Sequence, residues 1–241
     1  MTTPEDRSEG IGITPEDIRR QVEERVAQEG AVSTGADGQP EITSQFIQDC
    51  LRANELGDGI LYATTFRDKY LYCKNSQEWF EWAGHCWQRD VMNHSLAAVE
   101  KVVDHYLNEC KSVTGELIEK ASGSEPDPDE LKAIKSIQSS LLKRVSQLRA
   151  DKRRTACLKF AHTIDNPLAI TGEEFDRHPM LFPCANGVID LETGLINQGR
   201  PSDYLTLASP VAFTGIDTPA PIWERSLLEI FNRNEVLVSY L

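Results

Sequence analysis

The sequence predicts an α+β protein, a mostly helical body that carries a small antiparallel aromatic meander and a second β-hairpin. Three observations lead there. Long segments in the middle of the chain repeat apolar residues at helical spacing. Residues 70–89 hold short aromatic runs separated by turn residues. Asn186-Gly187 and Glu192-Thr193-Gly194 bracket an alternating run, as the two ends of a hairpin strand would.

Residues 1–40 are acidic, rich in glycine and poor in aromatics, which is the composition of a largely disordered tail. One amphipathic patch interrupts them. Thr14 can cap a helix with Pro15 at its first position, and Ile18, Val22 and Val26 make an apolar stripe. That helix is either a docking element or a frayed turn within the tail.

A helix is expected from Ser44 to Leu56, burying Phe46, Ile47, Cys50 and Leu51, with Gly57 as its stop. Gly57-Asp58-Gly59 then reads as a loop, since it lacks the rest of a dinucleotide fingerprint. Ile60 to Phe66 adds a helical turn or two. The meander follows as Tyr70–Cys73, Glu78–Trp82 and His85–Arg89, with turns at Asn75-Ser76 and Ala83-Gly84. Alternation puts Phe80 and Trp82 on one face, with Trp79 and Glu81 facing away. Aromatics there, with Lys69, Lys74 and Arg89 at the margins, either stack single-stranded bases or form the core of the small sheet.

Leu96, Val99, Val103, Tyr106, Leu107, Cys110 and Val113 recur at helical spacing and predict a helix of about five turns, broken by Gly123 to Pro126. Asp127 caps the next helix, with Pro128 at its first position and Leu131, Ile134, Ile137, Leu141, Val145 and Leu148 as its stripe. A further helix from Asp151 to Thr163 buries Ala156, Cys157 and Phe160.

The net charge is −13 over 241 residues, which argues against a protein that coats nucleic acid by bulk electrostatics. Any DNA contact must be local. One segment inverts the charge: between Leu131 and Phe160 stand Lys132, Lys135, Lys143, Arg144, Arg149, Lys152, Arg153, Arg154 and Lys159, against Asp151 as the only acid. Lys143, Arg144, Arg149, Lys152, Arg153, Arg154 and Lys159 are the candidate DNA-binding residues, because a handful of cations suffices to release counterions from a strand. The alternatives are a solvated helix face, or a face paired with acids on a neighbouring subunit.

Six cysteines occur without a C-x-x-C pair and without a signal peptide, so reduced thiols in a cytoplasm are the simple reading. Cys73, His85, Cys86 and His94 fit no common zinc framework, and no metal site is assigned. Asp190 and Glu192 fall two apart, where local turn bonding competes with a metal role. No apolar run is long enough to cross a membrane. No G-x-x-x-x-G-K-[ST] loop is present, so no ATPase activity and no bound cofactor are expected of this chain.

Three blocks carry a family resemblance over Gly57 to the end. Trp79-Phe80-Glu81-Trp82-Ala83-Gly84-His85-Cys86-Trp87 looks like an aromatic hairpin in which Trp-x-Gly-x-x-Trp is common. His178-Pro179-Met180-Leu181-Phe182-Pro183 runs into Asn186-Gly187-Val188-Ile189-Asp190-Leu191-Glu192-Thr193-Gly194 and then Pro201-Ser202-Asp203-Tyr204-Leu205-Thr206. Trp223 to Phe231 is similar to a lead-in helix. Together they resemble the domain immediately before the superfamily 3 helicase core in primase-helicases of phages, plasmids and poxviruses.

The resemblance implies a tail over 1–40, a pre-helicase domain over 41–215, and a lead-in helix over 216–241. It makes Trp79, Trp82, Gly84, Trp87, Asn186, Gly187, Asp190 and Gly194 structural motif residues. It further implies a DNA-replication protein of a mobile element that positions DNA or subunits for a ring-shaped motor, with ATP and magnesium held in a helicase domain beyond Leu241. The implied partners are DNA, copies of the same chain in a hexameric ring, and other replication proteins. The rival reading is an interaction or oligomerisation module that never touches DNA.

Overall fold

The structure, a computed structural model, describes residues 42–123 and 126–238. The expected Thr14 to Val26 helix and the tail around it lie outside these residues. The described elements run α1 (Ser44–Arg52), α2 (Asn54–Thr65), β1 (Tyr70–Cys73), β2 (Glu78–Trp82), β3 (Trp87–Arg89), α3 (His94–Ala97), α4 (Val99–Ala121), α5 (Pro128–Leu148), α6 (Asp151–Ala161), β4 (Ala169–Ile170), β5 (Leu181–Cys184), β6 (Gly187–Asp190), β7 (Leu195–Asn197), α7 (Pro221–Ile230) and α8 (Glu235–Val238). The α+β class predicted from the sequence is the one observed. No described helix is long and apolar enough to cross a membrane.

The chain divides into two compact units, one of residues 1–81 and 89–173 and the other of residues 82–88 and 174–241. In the first, α4 packs along α5, and α2 packs on α6. Leu61, Tyr62, Val99, Val102, Val103, Tyr106, Leu141, Leu148 and Cys157 are fully buried among them. Each large apolar side chain so buried contributes about 1.5–3 kcal/mol. Local signals set the helix ends: the Thr43 hydroxyl accepts the Phe46 N–H at 3.2 Å, and the Asp127 carboxylate accepts the Asp129 N–H at 2.9 Å.

The Gly57-Asp58-Gly59 segment corrects the sequence reading. It is not a loop but a buried turn of α2, and the chain turns earlier, at Asn54, which adopts φ 62°. The glycines are there for close approach. A Cβ on Gly57 would stand 1.9 Å from the Cys50 carbonyl oxygen, and one on Gly59 would stand 2.3 Å from the Phe160 Cβ.

The meander forms as predicted, with Leu71 opposite Phe80 and Tyr72 opposite Trp79. Sequence reading missed β4, a two-residue strand that pairs with β1 in parallel; residues this few carry no periodicity. The inward face of β2 is also the reverse of the expected one. Trp79 packs on the helical core, its ring 5.3 Å from Tyr72 and 6.3 Å from Tyr62, and Glu81 accepts a hydrogen bond from the Tyr70 hydroxyl at 3.5 Å. Period-two alternation defines two faces without saying which one the helices cover.

His162 stacks on Tyr72 at 3.9 Å and has the Lys74 ammonium 3.0 Å from its Nδ1; His105 shares a contact of 3.3 Å with the Thr65 hydroxyl. Burial first, then Lys74, holds the His162 imidazolium below its ordinary pKa, and burial does the same to His105 against the opposing pull of Asp104. A histidine with a lowered folded pKa binds its proton less readily than the unfolded chain does. Its stability contribution is therefore complete above about pH 6.5 and is lost as pH falls below that. Thermal melts recorded from about pH 7.5 down to pH 5, above the carboxylate range, are expected to show a falling Tm, and a His162→Gln, His105→Gln double variant a flatter profile. An unchanged slope in that variant would refute this assignment.

In the second unit, β5, β6 and β7 form an antiparallel sheet in that order, with Phe182, Ile189 and Ile196 in line across it. Helix α7 buries Leu227 and leaves Ile222, Trp223 and Ile230 exposed.

Candidate nucleic-acid interface

The basic segment of α5 and α6 separates into two populations. The first is spent inside the fold. Asp58 has no exposed surface, and its carboxylate accepts from Arg144 of α5 at 2.6 Å, from Arg153 of α6 at 2.8 Å and from the Tyr106 hydroxyl at 2.9 Å. Arg144 also donates to the Leu51 and Asn54 carbonyls, and Arg153 to the Gln147 and Asn54 side chains. Burial pushes the Asp58 carboxyl up from its ordinary pKa, and the two guanidiniums oppose that push. At the surface, Glu100 of α4 accepts from Arg149 at 2.7 Å and from Arg154 at 3.1 Å.

Four of the seven expected DNA-binding residues are thus engaged by carboxylates of their own chain. For Arg144 and Arg153 this is a correction, because side chains 7% and 11% exposed are hub cations of the core. Their acids lie on α2 and α4, 49 to 95 residues earlier, where sequence spacing gives no hint of them.

The second population is free. Lys143, Lys152 and Lys159 are exposed and make no hydrogen bond or ion pair among the described residues, and the same holds for Lys132 and Lys135. At 100° per residue, spacings of three and eleven put Lys132, Lys135 and Lys143 on one stripe of α5, and the spacing of seven puts Lys152 and Lys159 on one stripe of α6.

The aromatics are committed to packing. Trp87 is 2% exposed and donates its indole N–H to the Pro201 carbonyl at 2.9 Å, with Trp82 tilted against it at 5.4 Å. The marginal cations are engaged as well: Lys69 lies 3.6 Å from Glu81, Arg89 lies 2.9 Å from Glu78, and Lys74 donates to the His162 carbonyl at 2.5 Å.

In the second unit the motif residues do turn chemistry. Asn186 exchanges two hydrogen bonds with the Phe213 backbone, at 2.9 and 2.8 Å. Asp190 accepts the Glu192 and Thr193 N–H groups at 2.9 and 3.3 Å, the local turn bonding that competed with a metal role. Gly194 closes that turn in the left-handed region, φ 69°. A cavity of about 460 Å³ is lined by Gly84 and His85 on one side and by Asn186, Gly187 and Gly199 on the other, so two motif blocks meet there.

All six cysteines are buried free thiols. The potential metal ligands brought together among the described residues are Glu81, Asp90 and His94. Their atoms already serve the fold: Asp90 caps α3 through the His94 and Ser95 N–H groups, and Glu81 pairs with the His94 imidazole at 2.9 Å.

Comparison with known proteins gives one family. A model described as D5 N terminal like matches residues 60–232. The search of curated proteins found no match.

Proposed function

Because the chain belongs to the D5 N terminal like family, the N-terminal domain of phage- and poxvirus-type primase-helicases, we propose that it guides DNA, weakly and without regard to sequence, toward a ring-shaped ATP-driven helicase. The observation that carries this reading is the pair of free lysine stripes on α5 and α6 in a chain of net charge −13. Cations confined to one stripe attract phosphates there, while acidity elsewhere repels the strand from other faces. In this reading ATP and magnesium belong to the helicase domain, the assembly is a hexameric ring, and the protein works in a cytoplasm during replication of a mobile element.

The test uses the lysines rather than the arginines, since Arg153→Glu would set a second carboxylate against buried Asp58. Fluorescence anisotropy of a labelled single strand is expected to show affinity that falls steeply with salt. Lys132→Gln, Lys135→Gln and Lys143→Gln together should flatten the log-log slope by roughly three, about one per lost phosphate contact, with an unchanged Tm. A variant that keeps both slope and affinity would sink the proposal.

A second reading, an interaction module, draws on α7, where Ile222, Trp223 and Ile230 are 72%, 62% and 70% exposed. Contiguous apolar surface of this kind marks association sites. Loss of self-association in Trp223→Ser, with DNA binding absent in the parent, would favour it.

A further inference from the structure

A second polar feature of the basic segment is concave. A cavity of about 470 Å³ opens between the end of α1, the middle of α5 and the start of α6, within the range of small-ligand pockets. Arg52, Arg144, Arg153 and Lys143 all line it, and no carboxylate does. The acids bonded to lining residues are Asp49 on Arg52, Asp58 on Arg144 and Arg153, and Glu109 on Gln48, so the Lys143 ammonium is the lining cation that none of them neutralises.

Unspent donors converge there. Lys143 and the Ser136 hydroxyl, seven residues apart on one stripe of α5, have no partner among the described residues. The Arg153 guanidinium is 11% exposed and fixed through Asp58. Its Nη1 and Nη2 donate to Gln147 at 3.1 Å and to Asn54 at 2.8 Å, so each terminal nitrogen keeps a second N–H. Arg52 spends one contact on Asp49 at 2.5 Å and is otherwise open. A preorganised guanidinium, an unneutralised ammonium and a free hydroxyl match an anion with several acceptor oxygens on one centre. Leu51 and Ile137 add an apolar wall against which a sugar or base can lie.

We propose that this cavity binds the phosphate group of a nucleotide, whether free or at a position in a DNA strand. Lys143 supplies the charge, Arg153 the fixed fork, and Ser136 and Arg52 the further donors. The inference does not rest on the strand-guiding reading, although Lys143 serves both.

The experiment titrates the isotope-labelled full chain with inorganic phosphate, with dAMP, and with a short oligothymidylate bearing or lacking a 5′ phosphate. Amide signals of Ser136, Ser140 and Gln147 should move with phosphate and further with dAMP. Lys143→Gln and Arg52→Gln should each weaken dAMP about tenfold, the worth of one charge-assisted hydrogen bond. Lys132→Gln, outside the lining, should leave dAMP affinity unchanged while weakening the oligonucleotide. Competition from only the 5′-phosphorylated strand would identify a terminal phosphate as the occupant, and equal competition from both strands an internal one. Silent cavity signals, or dAMP affinity unaffected by Lys143→Gln and Arg52→Gln, would overturn the inference. Cavity binding of dAMP without any DNA binding would retain it and remove the strand-guiding reading; salt-dependent DNA binding over a silent cavity would do the reverse.

Discussion

Asp58→Ala is expected to destabilise the first unit by about 3–5 kcal/mol, the cost of leaving buried cations without their partner. The carboxylate is the common acceptor for Arg144 and Arg153, themselves nearly sealed from water, and for Tyr106. Stripping it leaves two guanidiniums to be hydrated or expelled. Against a total stability of about 5–15 kcal/mol, a loss of that size threatens folding at body temperature. Urea denaturation at constant m-value measures it, and a cost below about 1 kcal/mol would mean that water reaches the hub. Where Asp58→Ala fails to express, Tyr106→Phe provides a milder probe. It removes one hydrogen bond at 2.9 Å from the same carboxylate and should cost about 1–3 kcal/mol.

Gly57→Ala carries the second large effect, through sterics rather than charge. Its methyl group would sit 1.9 Å from the Cys50 carbonyl oxygen and 2.6 Å from the carbonyl carbon, and backbone cannot rotate away as a side chain can. Separating α1 from α2 is the remaining response, so a loss of about 3 kcal/mol is expected, the upper end for overpacking. Gly115, on α4 with nothing within 4 Å of its missing Cβ, is the matched control. Gly115→Ala should stabilise by about 0.5–1 kcal/mol, since there only helix propensity changes. Two substitutions of the same type thus move Tm in opposite directions, and a shared sign would refute the packing account.

These two residues also mark where the sequence was legible and where it was not. Asp127-Pro128 announced the start of α5, the α4 stripe of Val99, Val103, Tyr106, Cys110 and Val113 was readable residue by residue, and Asn186-Gly187 opened a strand, because caps, periodicity and tight turns are local. Gly57-Asp58-Gly59 looked like a loop because absent side chains signal a turn and a close helix contact alike. The objects they make room for are Cys50, seven residues back, and Phe160, about a hundred residues on. The Leu56, Ile60 and Ala63 spacing around them was the available hint of helix. The basic segment was misread for a related reason. Its cations were visible, whereas Asp58 and Glu100 come from elsewhere in the chain, and local charge density does not say which lysines and arginines are already paired.

The excursion of residues 82–88 into the second unit bears on how the chain acquires its structure in time. Within that unit the Trp87 amide donates to the Leu205 carbonyl at 2.7 Å and its indole to the Pro201 carbonyl. These partners are separated from it by 114 or more residues. A ribosome adding about 5–20 residues per second therefore exposes the tip of the hairpin for several seconds before its acceptors exist. Long-range closure of this kind slows folding, because the entropy of the intervening loop must be surrendered before the contact rewards it. The 82–88 tip is thus the last part of the meander to find its partners and, until then, a hydrophobic tryptophan pair open to premature association.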